Sequence, residues 1–204
     1  MTVSVHQNDL PAGLDLGPVI AVDSETMGLD PRRDRLCVVQ LSAGDGSAHL
    51  VQLARGVTSA PRLEAQLADP ARLKLFHYAR FDVAVLRHHL GITATPLFCT
   101  KIASRLVRTY TDRHGLKDLC RELLGIELSK TEQSSDWGSA SLSEAQQRYA
   151  AQDVLHLHAL MARLEAMLER EERRAIAQAC FDFLPTRVAL DLAGWPDIDI
   201  FAHS

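Results

Sequence analysis

Five residues at three places in the chain have types and spacings that could do chemistry: Asp23 with Glu25, then Asp82, then Tyr149 with Asp153. Asp23-Ser24-Glu25 ends a short β-branched run that begins at Pro18. On a strand, residues i and i+2 project from one face, so these two carboxylates point together. Like charges side by side repel, and the placement gains nothing unless a cation lies between them. Alone, so short a pattern also reads as two solvated acids at a strand end. Asp82 follows the strand-like stretch Leu73–His77 and falls in the first turn of the next helix. The helix dipole favours an acid there, so by itself Asp82 reads as a dipole-stabilising residue and His77 as a hydrogen-bonded strand-end histidine. Tyr149 and Asp153 stand four apart in a helical stretch and share a face. That face continues through Leu157 and Leu160, which sets Asp153 on or beside the buried stripe. A buried carboxylate is costly unless a metal ion or an arginine pairs with it. Taken together, four carboxylates match what two oxygen-loving divalent cations require. Magnesium and manganese fit, because no thiolate or paired histidine offers a softer site.

The elements that must position these groups follow from periodicity and turn chemistry. Residues 1–17 are polar and punctuated by glycine and proline, and read as an entry segment. Strands are expected over 18–23, 36–41 and 48–53, the last two joined through Gly44-Asp45-Gly46, as an antiparallel meander. Beyond them the pattern predicts helix 62–67, strand 73–77, helix 81–90, strand 96–99, and helices 101–110 and 116–124. Residues 126–140 read as irregular. A long helix is expected from Ser141, with Ser141 and Glu144 as a capping box, to about residue 173, and another over 174–192. A meander followed by alternating helices and strands is an α/β arrangement: a mixed sheet, part antiparallel and part parallel, flanked by helices. No linker separates a second hydrophobic cluster, so one domain over 1–204 is expected, with its core at about 18–170.

Composition narrows the function classes. A net charge of -4 argues against tracking along long polyanions, which draws on a basic surplus, though not against a small substrate held in a local pocket. Cys37, Cys99, Cys120 and Cys180 are scattered, with no CxxC pair, and read as small core residues. The N-terminus has no basic stretch followed by an apolar run, and no run approaches the ~20 apolar residues that cross a bilayer. Reduced thiols and no export signal point to the cytoplasm.

The three motifs, with Gly115-Leu-Lys-Asp-Leu119, Lys130, Gln133-Ser-Ser-Asp-Trp137 and Tyr149-Ala-Ala-Gln-Asp-Val154, resemble the DEDDy branch of the ribonuclease H-like 3′–5′ exonucleases, and within it the ribonuclease D family. The likeness runs from about Val19 to Leu168. It implies a ribonuclease H-like fold, two divalent cations (Mg2+ or Mn2+) held by Asp23, Glu25, Asp82 and Asp153, and Tyr149 in contact with the attacking water. Segment 31–41 and the tail, with Gly194-Trp195 and Asp199–Ser204, are similar to a single-domain bacterial subfamily that digests dinucleotides. That resemblance implies a metal-dependent 3′–5′ exoribonuclease converting dinucleotides and short oligoribonucleotides to 5′-mononucleotides, assembled as a homo-octamer. A broader exonuclease trimming longer RNA or single-stranded DNA carries the same acids; a non-catalytic nucleic-acid-binding module is the remote alternative.

The same resemblance supplies the expected substrate contacts. Leu29 would wedge between two bases, the alternative being a core or loop leucine. The Thr26 backbone would meet the terminal ribose, Gln133 and Ser135 would touch substrate, and Met27 and His77 complete the set. Arg32, Arg33 and Arg35 form one basic cluster, and Lys101, Arg105, Arg108, Arg113, His114, Lys117, Arg121 and Lys130 a looser one. Each is either a phosphate contact or a solvated or subunit-contact cation. Trp195, Ile198, Ile200 and Phe201 put apolar groups on a chain end, which predicts a subunit interface.

Overall fold

The computed structural model describes residues 1–129 and 135–203. Its centre is a six-stranded sheet built from β1 (Thr2–Gln7), β2 (Val19–Thr26), β3 (Leu36–Ser42), β4 (Ser47–Gln52), β5 (Leu73–Phe76) and β6 (Leu97–Cys99), in the order β1-β4-β3-β2-β5-β6. β2, β3 and β4 form the expected antiparallel meander, while β5 and β6 continue from β2 in parallel. Every residue of β3 is buried, as a strand covered on both faces requires, and its composition is accordingly apolar apart from Gln40 and Ser42. The β3–β4 turn needs Gly44 twice over. Its φ is +79°, and a Cβ there would meet the His158 ring at 2.8 Å.

The helices are α1 (Pro61–Leu67), α2 (Ala79–Leu90), α3 (Thr100–Val107), α4 (Leu116–Leu119), α5 (Glu144–Leu155), α6 (Leu157–Arg170) and α7 (Arg174–Ala193), with a π-helical turn over Cys120–Leu124. α5 packs on β2, β3 and β4, where Val38 and Leu50 of the sheet meet Trp137, Leu142 and Ala150. The larger core lies among the sheet, α1, α2, α3, α6 and α7. No helix among the described residues is long and apolar enough to cross a membrane.

Four local expectations need correction. The first seven residues are not a mere entry: β1 pairs in parallel with β4 at the sheet edge, Val3 opposite Ala48 and Val5 opposite Leu50. The helix expected over 141–173 is two helices. It breaks at His156 (φ −104°, ψ −4°), where α5 leaves the sheet face and α6 turns toward α3 and β5. The capping box is Ser143 with Gln146: the Gln146 N–H donates to Ser143 Oγ at 3.2 Å, and the Ser143 N–H to Gln146 Oε1 at 2.9 Å. Cys180 is only half-buried, on α7, whereas Cys37, Cys99 and Cys120 are core residues.

Candidate active site

Strand alternation decides which way each acid of β2 faces. Asp23 and Glu25 project toward α5, and there they meet Asp153. Ligating oxygens of the three carboxylates lie within 4.8 Å of one another. Ser24, between them, points to the opposite face, where its hydroxyl donates to Asp82 Oδ1 on α2 at 2.6 Å. Asp82 is thus buried, yet close enough to the other acids that its charge acts on Asp23 and Glu25. One helical turn before Asp153, Tyr149 brings its hydroxyl to the Asp153 carboxylate, and the Trp137 ring, 6.0 Å away centre to centre, backs the phenol. These groups line a cleft of about 840 Å³, whose walls also include Leu29, His77, Tyr78, Lys101, Lys117 and Ser135.

The electrostatics are those of crowded acids. Burial raises Asp23 well above the usual carboxylate range, and the charges of Asp82, Asp153 and Glu25 add to it. Burial lifts Glu25 to about 9, reinforced by Asp153 and Asp82. Asp82 is lifted to about 7 by burial against the opposing Ser24 hydrogen bond, and Asp153 to about 7 by burial against the bond from Tyr149. The Tyr149 phenol is driven far above its ordinary range, chiefly by burial and then by Asp153, so it is neutral at physiological pH. Among the described residues no lysine or arginine forms an ion pair with any of the four acids. A buried arginine is therefore not how Asp153 is compensated. Three converging carboxylate oxygens with raised proton affinity, and with no cationic partner among the described residues, are the donor set of a hard divalent cation.

The expected substrate contacts fare unevenly. Leu29 is 87% exposed on the β2–β3 loop, which excludes the core reading. Met27 is half-exposed at the rim, its N–H bonded to the Arg35 carbonyl at 3.0 Å. The Thr26 hydroxyl donates to the Gly28 carbonyl, and Thr26 lines the cleft. His77 hydrogen-bonds Thr100 Oγ1 at 2.9 Å, and burial and then Lys101 lower it to about 3, so it is a neutral wall of the cleft. Ser135 accepts from Gln146 Nε2 at 3.0 Å. Gln133 and Lys130 lie outside the described residues.

Of the basic sets, Arg32, Arg33 and Arg35 are off the cleft. Arg33 is paired with Asp34 at 2.7 Å, and Arg35 donates to the carbonyls of Leu53 and Gly138. Arg108 is fully buried against Glu122, and Arg121 pairs with Asp118, so both are structural. Among the described residues, Lys101 and Lys117 are the lysines on the cleft wall. Sequence reading passed over Ser24, Gln40 and Tyr78. Gln40 had a signal, being a lone amide inside the apolar run Leu36–Leu41.

An acidic cleft at the end of an interior strand of such a mixed sheet is the site of a nuclease, and residues 5–169 match that class: the chain belongs to the 3′–5′ exonuclease family. It is similar throughout to Brucella melitensis NrnC (NanoRNase C). The NrnC structure bound to pGG is 56% identical, with a TM-score of 0.97 and all of both chains covered. The NrnC structure with bound Mg2+ is 55% identical at a TM-score of 0.96, again over all of both chains. Escherichia coli RNase D, an exoribonuclease involved in structured RNA processing, is 28% identical with a TM-score of 0.75 over 84% of this chain and 45% of that one. Ribonuclease D of Granulibacter bethesdensis is 37% identical over 158 residues, 78% of this chain. The chain spans 40% of the length of that curated relative.

Proposed function

We propose that this chain is a metal-dependent 3′–5′ exoribonuclease that hydrolyses dinucleotides and short oligoribonucleotides to 5′-mononucleotides, with two divalent cations at Asp23, Glu25, Asp153 and Asp82. The observation that carries the reading is the convergence of ligating oxygens of Asp23, Glu25 and Asp153 within 4.8 Å, with no ion pair to any of them among the described residues. Mg2+ in one NrnC structure and pGG in another support the metal and the substrate class. Bound divalent cations would supply Lewis acidity for the attacking water and charge neutralisation for the leaving 3′ oxygen.

The protein's own groups do the rest. Asp23, Glu25 and Asp153 hold charge where the phosphodiester must lie. Ser24 fixes the Asp82 carboxylate by a hydrogen bond. Tyr149, a neutral phenol, holds and orients water rather than removing its proton. Leu29, unsupported by any core contact, separates the two terminal bases. Lys101 and Lys117 face substrate phosphate from the opposite wall. The whole of 1–204 would act as one catalytic domain. The exposed apolar tail residues Trp195, Ile198, Ile200 and Phe201 would bury against further copies of the chain in a ring-shaped homo-octamer.

Turnover of labelled RNA from two to about twenty nucleotides, with Mg2+ or Mn2+ and again with chelator, tests the reading. Cation-dependent release of 5′-mononucleotides with a steep preference for two nucleotides is expected. Flat activity across the series would instead establish the trimming role, and release that survives chelation would reject the metal-dependent reading altogether.

A further inference from the structure

Gln40 sits in the middle of β3, directly across the ladder from Asp23 on one side and from Leu50 on the other. Its side chain is completely buried. Cross-strand neighbours share a face, so Gln40 projects with Asp23 and, on the diagonal, with Glu25. Its Nε2 donates to Glu25 Oε1 at 3.5 Å, the long limit of a hydrogen bond. Its Oε1 has no partner among the described residues. An amide carbonyl buried without a donor is destabilising by itself, and an apolar side chain of the same shape would remove that liability. Every other side chain of β3 except Ser42 is apolar, so the strand does not need an amide here to be a strand.

We propose that Gln40 is a positioning residue for the cation-binding acids: its N–H orients Glu25, and its free carbonyl oxygen accepts a hydrogen bond from water that accompanies a divalent cation into the site. This rests on the metal-dependent exonuclease reading. A ligating carboxylate is commonly held by an outer hydrogen bond, which sets its direction and its affinity for the ion. The buried oxygen, which has no donor among the described residues, would gain one when the ion and its water enter.

The two states therefore respond oppositely to Gln40→Met, which preserves side-chain length but neither donates nor accepts through oxygen or nitrogen. Mn2+ binding followed by titration calorimetry should weaken about tenfold relative to wild type, the low end for loss of an outer partner. The thermal midpoint of the chelated protein should be unchanged or higher. Gln40→Leu provides the same comparison should the methionine variant fail to fold. Equal Mn2+ affinity in wild type and variant would overturn the proposal, as would a lowered metal-free midpoint with unchanged affinity, which is what a merely structural amide gives. Wild type that cleaves RNA with Mn2+ while Gln40→Met binds the ion equally well removes this inference alone. Wild type that neither binds Mn2+ nor cleaves removes the exonuclease reading with it.

Discussion

Replacing Glu25 by glutamine should make the metal-free protein more stable, by an amount that grows with pH. Glu25 titrates at about 9 in the fold against 4.5 for a free glutamate. Between those values the folded chain keeps a proton that the unfolded chain releases. Stability is therefore full below the unfolded value and falls as pH rises toward the folded one, by about 1.4 kcal/mol per pH unit. At about pH 7.5 the proton linkage of this one group reaches roughly 4 kcal/mol as a ceiling, since three units of pH separate that condition from the unfolded titration. Asp23 and Asp153 share the pocket and can take up part of the same strain, so about 2 kcal/mol is the working expectation for Glu25→Gln at that pH. Near pH 4.5 the two proteins should be almost equally stable. Urea unfolding with chelator at about pH 4.5, 6 and 7.5 measures the difference, provided the slopes match. Saturating Mn2+ should reverse the ranking, because wild type gains a ligand that binds only the folded state and the variant has lost one of its donors. A chelated variant that is equal to wild type across this range, or less stable at the upper end, would refute the view of these acids as an uncompensated cluster.

Three further outcomes follow from the same geometry. Tyr149→Phe should lower kcat about 100-fold, within the range for a group that handles a proton or its water, while KM and the unfolding midpoint stay near wild type; full turnover would remove Tyr149 from the reaction. Leu29→Ala should raise KM for a dinucleotide several-fold with kcat and stability unchanged, because the side chain is 87% exposed and supports no core; an unaltered KM would end its role as a wedge. Deleting residues 195–204 should reduce the assembly mass in light scattering, and an unchanged mass would place the interface elsewhere.

The acids could be read from the chain because local periodicity places them. Two-residue alternation on β2 aims Asp23 and Glu25 together, and the four-residue helical repeat pairs Tyr149 with Asp153. What periodicity cannot supply is depth. Asp82 is buried and held by the Ser24 hydroxyl, and that contact exists only once α2 packs on the sheet. The same holds for Gln40, whose burial against Glu25 depends on the register of β2 and β3. Composition also hid the split between α5 and α6: apolar spacing runs through His156 without interruption, whereas the packing partners change there. β1 was legible in principle, since Val3 and Val5 alternate with polar residues, but a polar edge strand resembles a loop in composition. Sequence alone leaves the arginines near the first motif open between phosphate contact and solvated or subunit-contact cation. Asp34 and the carbonyls of Leu53 and Gly138 claim Arg33 and Arg35 before any phosphate could.

The most direct measurement is the anomalous scattering of Mn2+ in crystals of the protein soaked with that ion. The account predicts density coordinated by oxygens of Asp23, Glu25 and Asp153, lost in Asp153→Asn. Manganese bound elsewhere, or a pocket in which these three carboxylates turn apart when the ion is supplied, would contradict it.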